Sequence, residues 1–268
     1  MTGNSDEARP GSAPGSRAFA GTMFAALYGE LVPHPWLDPD TDRDAYWLFY
    51  HRSLAMGWLD EVGAAGLWGM NDADREHPLA DAGASLVAWF QVGAEEVPAG
   101  RPLPVQPFLR CAGDAVARMG RLELTAVQVL LPVQGLDPSS RPAYGHMPSL
   151  QTAAWYGDGD PLSRTPVRVT LDSGTDPSIR SAAPGMREWM SQEQDTFVCE
   201  SHSLSDPPPM APPFDDWFWN GPPRHRVTFH GTLAEWSLDA LGWLGGFLAD
   251  LSARHGVSTP LLLTARRS

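Results

Sequence analysis

The chain of 268 residues contains no lysine; all 19 of its basic residues are arginine. Mechanisms that need a side-chain primary amine are therefore closed to it. There can be no Schiff base to a carbonyl or to pyridoxal phosphate, and no P-loop or kinase-type phosphate lysine. Isoleucine occurs once, at Ile179, so other large residues must fill the interior. Cysteine occurs twice, at Cys111 and Cys199, with no CxxC pair. That argues against a Cys-rich zinc site or a ferredoxin-type iron–sulfur cluster.

Positive charge is scarce and scattered. The net charge is −13, and the densest basic group is Arg224, His225 and Arg226. Nucleic acid and anionic membrane surfaces are expected to repel such a chain, so neither is an expected partner. No apolar run reaches the length of a membrane span. The most apolar helix candidate, Trp236 to Leu251, carries Asp239 and Asp250 inside it. The first residues lack the apolar core of a signal peptide, and a cytoplasmic location is the expectation.

Cofactor and metal motifs are missing too. There is no HExxH, no GxSxG and no GxGxxG. Asp72, Asp74 and Glu76 alternate in NDADREHPLAD, but the stretch lacks the glycine that an EF-hand loop needs. The expectation is a chain that works without a cofactor or a metal.

What is present is a balance of 43% hydrophobic and 19% charged residues, which suits a packed globular protein. Residues 1–17, rich in Gly, Ser, Pro and Ala, read as a disordered tail, and 18–268 as one globular domain. Within it, 18–84 reads as a helical N-terminal segment. Residues 18–32 form a short helix burying Phe19, Met23, Leu27 and Leu31. A second helix over about 43–65, capped by Thr41 or Asp42, follows, and 66–84 is irregular. Residues 85–268 read as a sheet-containing core of three strand–helix–strand units: SLVAWFQVG to LELTAVQVLLPV, PVRVTLD to DTFVCESHSL, and HRVTFHG to STPLLLTARR.

The expected class is α+β. Ferredoxin-like strand–helix–strand units would form a mixed or mainly antiparallel sheet with helices on one face. A doubly wound parallel sheet is the alternative. The three units show no residue-level repeat.

Four features carry the functional expectations. Tryptophan is abundant, with 11 residues. Such rings either fill the core or line a pocket for a flat apolar ligand. The segment 207–223 holds seven prolines and the aromatic run Phe214, Trp217, Phe218 and Trp219. It is either a lid or docking strap, or a structural strap that plugs the core. Trp217, Phe218, Trp219 and Trp89 are the ligand-binding candidates. In FVCESHSL, strand alternation places Glu200 beside His202 on one side, a pairing suited to a general base. In RHRVTFHG, Arg226 and His230 share a side. Were the two strands neighbours, Glu200, His202, Arg226 and His230 would form a catalytic or anion-binding cluster, or an ordinary polar sheet face.

The function expected from these features is a cofactor-independent binder, or an isomerase-, cyclase- or dehydratase-like enzyme. Its ligand would be a small apolar or aromatic metabolite, for instance of specialised metabolism. The competing expectation is a non-enzymatic interaction module that docks a partner protein or self-associates as a homodimer.

Overall fold

The computed structural model describes residues 19–37, 44–61, 66–77, 79, 85–141, 147–192, 196–207 and 210–268. The tail 1–17 and the capping candidates Thr41 and Asp42 lie outside them. The elements run β1 (Phe19–Pro33), α1 (Ala45–Ala55), β2 (Trp68–Asp74), β3 (Leu86–Glu95), α2 (Val105–Met119) and β4 (Gly120–Leu131). They continue with α3 (Ala154–Gly157), β5 (Thr165–Asp172), α4 (Ser178–Met190), β6 (Phe197–Ser203), β7 (Arg226–Leu233), α5 (Leu238–Arg254) and β8 (Leu261–Arg267).

All eight strands join one sheet in the order β2-β3-β1-β4-β8-β5-β7-β6. Every pairing between these strands is antiparallel, which removes the doubly wound alternative. The protein is thus α+β. The connectivity is also twofold: β1-α1-β2-β3-α2-β4 and β5-α4-β6-β7-α5-β8 each run strand, helix, strand, strand, helix, strand. The strand order reads the same from either end of the sheet, and the halves meet where β4 pairs with β8. Three of the four strand–helix–strand units are those expected from residue 85 onward.

The N-terminal segment is where expectation and structure part. The stretch expected to be a first helix forms β1 (Phe19–Pro33), an inner strand, and the stretch 66–84, expected to be irregular, contains β2. Met23 and Leu27 are four apart, a spacing that puts side chains on one face in a strand as well as in a helix. Phe24, Ala26 and Tyr28 are also buried, on the other face, so β1 shows no alternation. The second helix exists as α1, but its cap is Asp44, whose side chain accepts the Trp47 N–H at 2.7 Å.

The helices share one face of the sheet. There α1, α2, α4 and α5 cover the main core, which includes Met23, Phe90, Val129, Val169, Phe229 and Leu263. Helix α5 is buried all round: every residue from Ala240 to Ala253 is inaccessible, as expected of a central helix. It starts at a serine cap, with Ser237 Oγ accepting the Ala240 N–H at 3.1 Å. Gly242 lets it lie against α2, because a Cβ there would stand 2.6 Å from Gln106 Cα.

The opposite face of the sheet carries a second, smaller cluster. Phe24, Ala26, Tyr28, Trp89, Ala126, Leu130 and Leu262 meet Phe214 and Trp219 of the Pro-rich strap between β6 and β7.

Candidate functional site

The strap is built to stay on the sheet. Gln128, fully buried on β4, donates to the Met210 carbonyl at 3.3 Å and accepts from Tyr28 Oη at 2.8 Å. Asn220 donates to the Ser173 carbonyl at 3.2 Å, and its own carbonyl accepts the Thr175 N–H at 2.9 Å. Gly174, at φ +65°, makes this approach feasible, since a Cβ there would stand 1.9 Å from the Asn220 carbonyl oxygen. Beneath the strap runs a buried row of neutral polar groups. Gln128, Thr264, Thr170 and Thr228 are register partners across β4, β8, β5 and β7, and Thr170 and Thr228 bond at 2.9 Å.

The aromatic candidates gather here in mutual ring contact. Trp89 stacks on Phe24 at 5.6 Å and 11°, and its indole donates to the Glu76 carbonyl at 2.8 Å. Phe214 meets Phe24 at 5.0 Å and Phe218 at 5.2 Å. Trp219 is buried, Phe218 half-buried, and Trp217 is 82% exposed. Their geometry is that of a plug.

The polar candidates are partly separated. Strands β6 and β7 do pair, as the expected cluster requires, but β6 bulges at Glu200, which is exposed and has no register partner. One extra residue reverses the alternation that follows it. His202 therefore stands opposite Phe229, 6.2 Å from its ring, on the helix-covered face. His230 lies on the strap face, where Nε2 meets Asp206 Oδ2 at 2.9 Å. Arg226 shares that face but turns to Asp172, at 3.9 Å. Burial raises the Asp172 carboxyl to about 6, against the pull of the Gly174 N–H and Arg226. Neither cysteine is poised as a nucleophile: burial raises Cys111 to about 12 and Cys199 to about 11.

An open cleft of about 610 Å³ lies on the helix side, at the junction of α2, α5 and the loop before α3. Trp243 contributes an aromatic surface, and Val97, Pro98, Pro102, Leu103 and Pro107 make the rest mostly apolar. Glu95, Glu96, Arg101 and Thr152 also line it, and the hydrogen bonds of Gln106, Tyr156 and Ser149 set the polarity of its inner end. Gln106 spends both amide hydrogens on Tyr156 Oη at 3.0 Å and Asp239 Oδ1 at 3.3 Å, which leaves its carbonyl as an acceptor. Burial and the adjacent Asp239 raise the Tyr156 phenol, so it stays a donor to Asp239 Oδ2, at 3.0 Å. Ser149 lines the cleft, is 3% exposed, and its hydroxyl has no partner among the described residues. A buried hydroxyl without a partner is costly, and a ligand could supply one.

No family model, no curated protein and no solved structure matches this chain.

None of the eight residues singled out from the sequence lines the Trp243 cleft. Two signals pointed to it. One is the proline series Pro98, Pro102, Pro104 and Pro107, which stiffens a wall. The other is GWLGG inside an otherwise apolar helix, where Gly242 and Gly245 let α2 approach closely and Gly242 and Gly246 line the cleft. No group of three or more His, Cys, Asp or Glu among the described residues is arranged to hold a metal ion. No helix among them is long and apolar enough to cross a membrane.

Proposed function

We propose that this protein binds a small, mainly apolar or aromatic metabolite in the Trp243 cleft, on a frame of two ferredoxin-like halves. The ferredoxin-like reading is supported by the βαββαβ order of each half and its 4-1-3-2 strand sequence. The observation that carries the binding reading is Ser149. A cleft of ligand size, mostly apolar, has Ser149 in its wall, and the Ser149 hydroxyl has no partner among the described residues; rotation of that side chain would offer it to a flat molecule with one polar end. Gln106 Oε1 is the second polar contact.

Binding is favoured over turnover, because Glu200, His202, Arg226 and His230 do not line the cleft. A cytoplasmic setting suits two cysteines that are both free thiols. A second reading, a docking module, draws support from Trp217, whose ring stands 82% exposed on the strap.

Native mass spectrometry of the wild type and Gly246→Leu separates the readings. Gly246 lines the cleft, and a Cβ there meets nothing nearer than 3.4 Å, so the larger side chain fills the cleft without breaking α5. A co-purifying small molecule that the variant lacks is the expected result. The same mass on both proteins, or a dimer with no bound mass, overturns the proposal.

A further inference from the structure

One rung of the strap-side sheet face carries cations in a row. Arg266 of β8 is the register partner of Arg168 of β5, and Arg168 is the register partner of His230 of β7. Partners in adjacent strands stand about 5 Å apart on the same face. Two guanidinium groups directly opposite one another repel, and the one carboxylate whose charge reaches Arg168, Asp206, is hydrogen-bonded to His230 and forms no ion pair with either arginine. Both side chains are exposed, and neither makes an ion pair within 4 Å among the described residues. The nearby carboxylates are engaged elsewhere: Asp206 bonds His230 at 2.9 Å, and Glu123 pairs with Arg121 at 3.3 Å. In a chain with 32 acidic and 19 basic residues, such a row is an anomaly.

The row ends in a notch. Strand β4 pairs with β8 only over Ala126–Leu131, so its first residues continue without β8 beside them. The cleft there, about 650 Å³, is lined by Glu123, Thr125, Met210, Trp236, Arg266 and Arg267. Arg267 lies over the Trp236 ring at 5.4 Å, and the Trp236 indole donates to the Leu124 carbonyl at 2.9 Å, which fixes that wall.

We propose that Arg266, at the edge of this notch, and Arg168, next to it on the exposed sheet face, bind a small dianionic oxyanion, a phosphate-bearing molecule, with His230 at the far end of the row. Two planar forks side by side match the charge and the oxygen geometry of a phosphate group. A long polyanion is disfavoured by the net charge of −13, so a small ligand is the fitting partner. The site is on the opposite face of the sheet from the Trp243 cleft and does not depend on it.

The test is isothermal titration of the full chain with inorganic phosphate in chloride-only buffer, for the wild type and for Arg168→Gln/Arg266→Gln. Thermal unfolding is followed alongside. The expected result is saturable binding, weakened by about tenfold or more in the variant. With the like-charge contact gone, the variant should melt no lower than the wild type in the absence of phosphate. Phosphate also raises melting temperatures non-specifically, a contribution that the variant shares and so subtracts. No saturable heat with the wild type, or equal affinity in the two proteins, overturns the proposal.

Discussion

Arg141 and Asp250 form an ion pair sealed from solvent, with Nε 2.8 Å from Oδ1 and both side chains 0% exposed. Three of the other four guanidinium hydrogens of Arg141 go to the carbonyls of Asp137 and Arg101 and to Ser140 Oγ, while Asp250 Oδ2 accepts the Ser149 N–H at 3.2 Å. The pair ties the loop before α3 to α5, and the Trp243 indole, donating to the Ser149 carbonyl at 2.9 Å, rests on the same loop. The back wall of the cleft is thus held by a charge pair, not by apolar packing alone.

Breaking that pair from one side leaves a buried charge without its partner. Asp250→Asn or Arg141→Met should each destabilise the protein by about 3–5 kcal/mol. Replacing both residues with apolar side chains should cost less than either single change, since no charge is then stranded. Urea unfolding of the three variants against wild type measures the cycle. Additive losses would show that the two charges act independently.

Asp172 makes stability depend on mildly acidic pH. Its carboxyl is 4% exposed and is raised by burial from an ordinary 3.8 to about 6. Between these values the folded state keeps a proton that the unfolded state releases, so stability falls as pH rises from about 4 to about 6. The loss attributable to this one group is on the order of 3 kcal/mol. Asp172→Asn keeps an oxygen to accept the Gly174 N–H at 2.8 Å and removes the ionisation. Its unfolding free energy should be flatter than that of wild type over this interval and higher at pH 7. Parallel pH profiles would contradict the assignment.

Two tryptophans two residues apart should behave in opposite ways. Trp219 is 1% exposed within the cluster that pins the strap, and Trp217 is 82% exposed. Trp219→Ala should cost about 3–5 kcal/mol, in the range of large aromatic truncations in a core. Trp217→Ala should cost less than about 0.5 kcal/mol. Guanidinium melts of both variants decide the matter, and comparable losses would mean that the strap is held by something other than its buried rings.

Much of the sheet was legible in the sequence, and the failures have physical causes. Strands β5 and β7 announced themselves by their β-branched and aromatic runs, as did α2 by its apolar face and α5 by its long apolar run. Strand β1 did not, because the strap buries its second face and erases the alternation. The twofold connectivity was hidden for a related reason. Its first strand read as a helix and its second as loop, so only three of four units were visible. The bulge at Glu200 is a one-residue event with no composition of its own, yet it decides which face His202 occupies. The Trp243 cleft joins residues from Gly66 to Gly246 and has no local motif. Its nearest signals, the proline series and the three glycines of α5, indicate close packing before they indicate a site.

The contact between α2 and α5 gives a further check on that packing. Gly242→Val would drive a side chain into Gln106, whose Cα stands 2.6 Å from the site of the new Cβ. The substitution should destabilise the protein by about 1–3 kcal/mol and displace Gln106 from the cleft. Gly246→Leu, one turn on, should leave the melting temperature close to that of wild type. Similar melting curves for the two variants would mean that the cleft does not sit where α5 leaves room for it.

The most direct measurement is a fluorescence titration with N-phenyl-1-naphthylamine, a neutral aromatic probe that the arginine row has no reason to attract. Saturable binding at one site per chain is expected, with an affinity at least about tenfold lower in Gly246→Leu at unchanged fold, because the added side chain occupies the ligand's volume. Equal binding by the two proteins, or none by the wild type, would contradict binding in the Trp243 cleft.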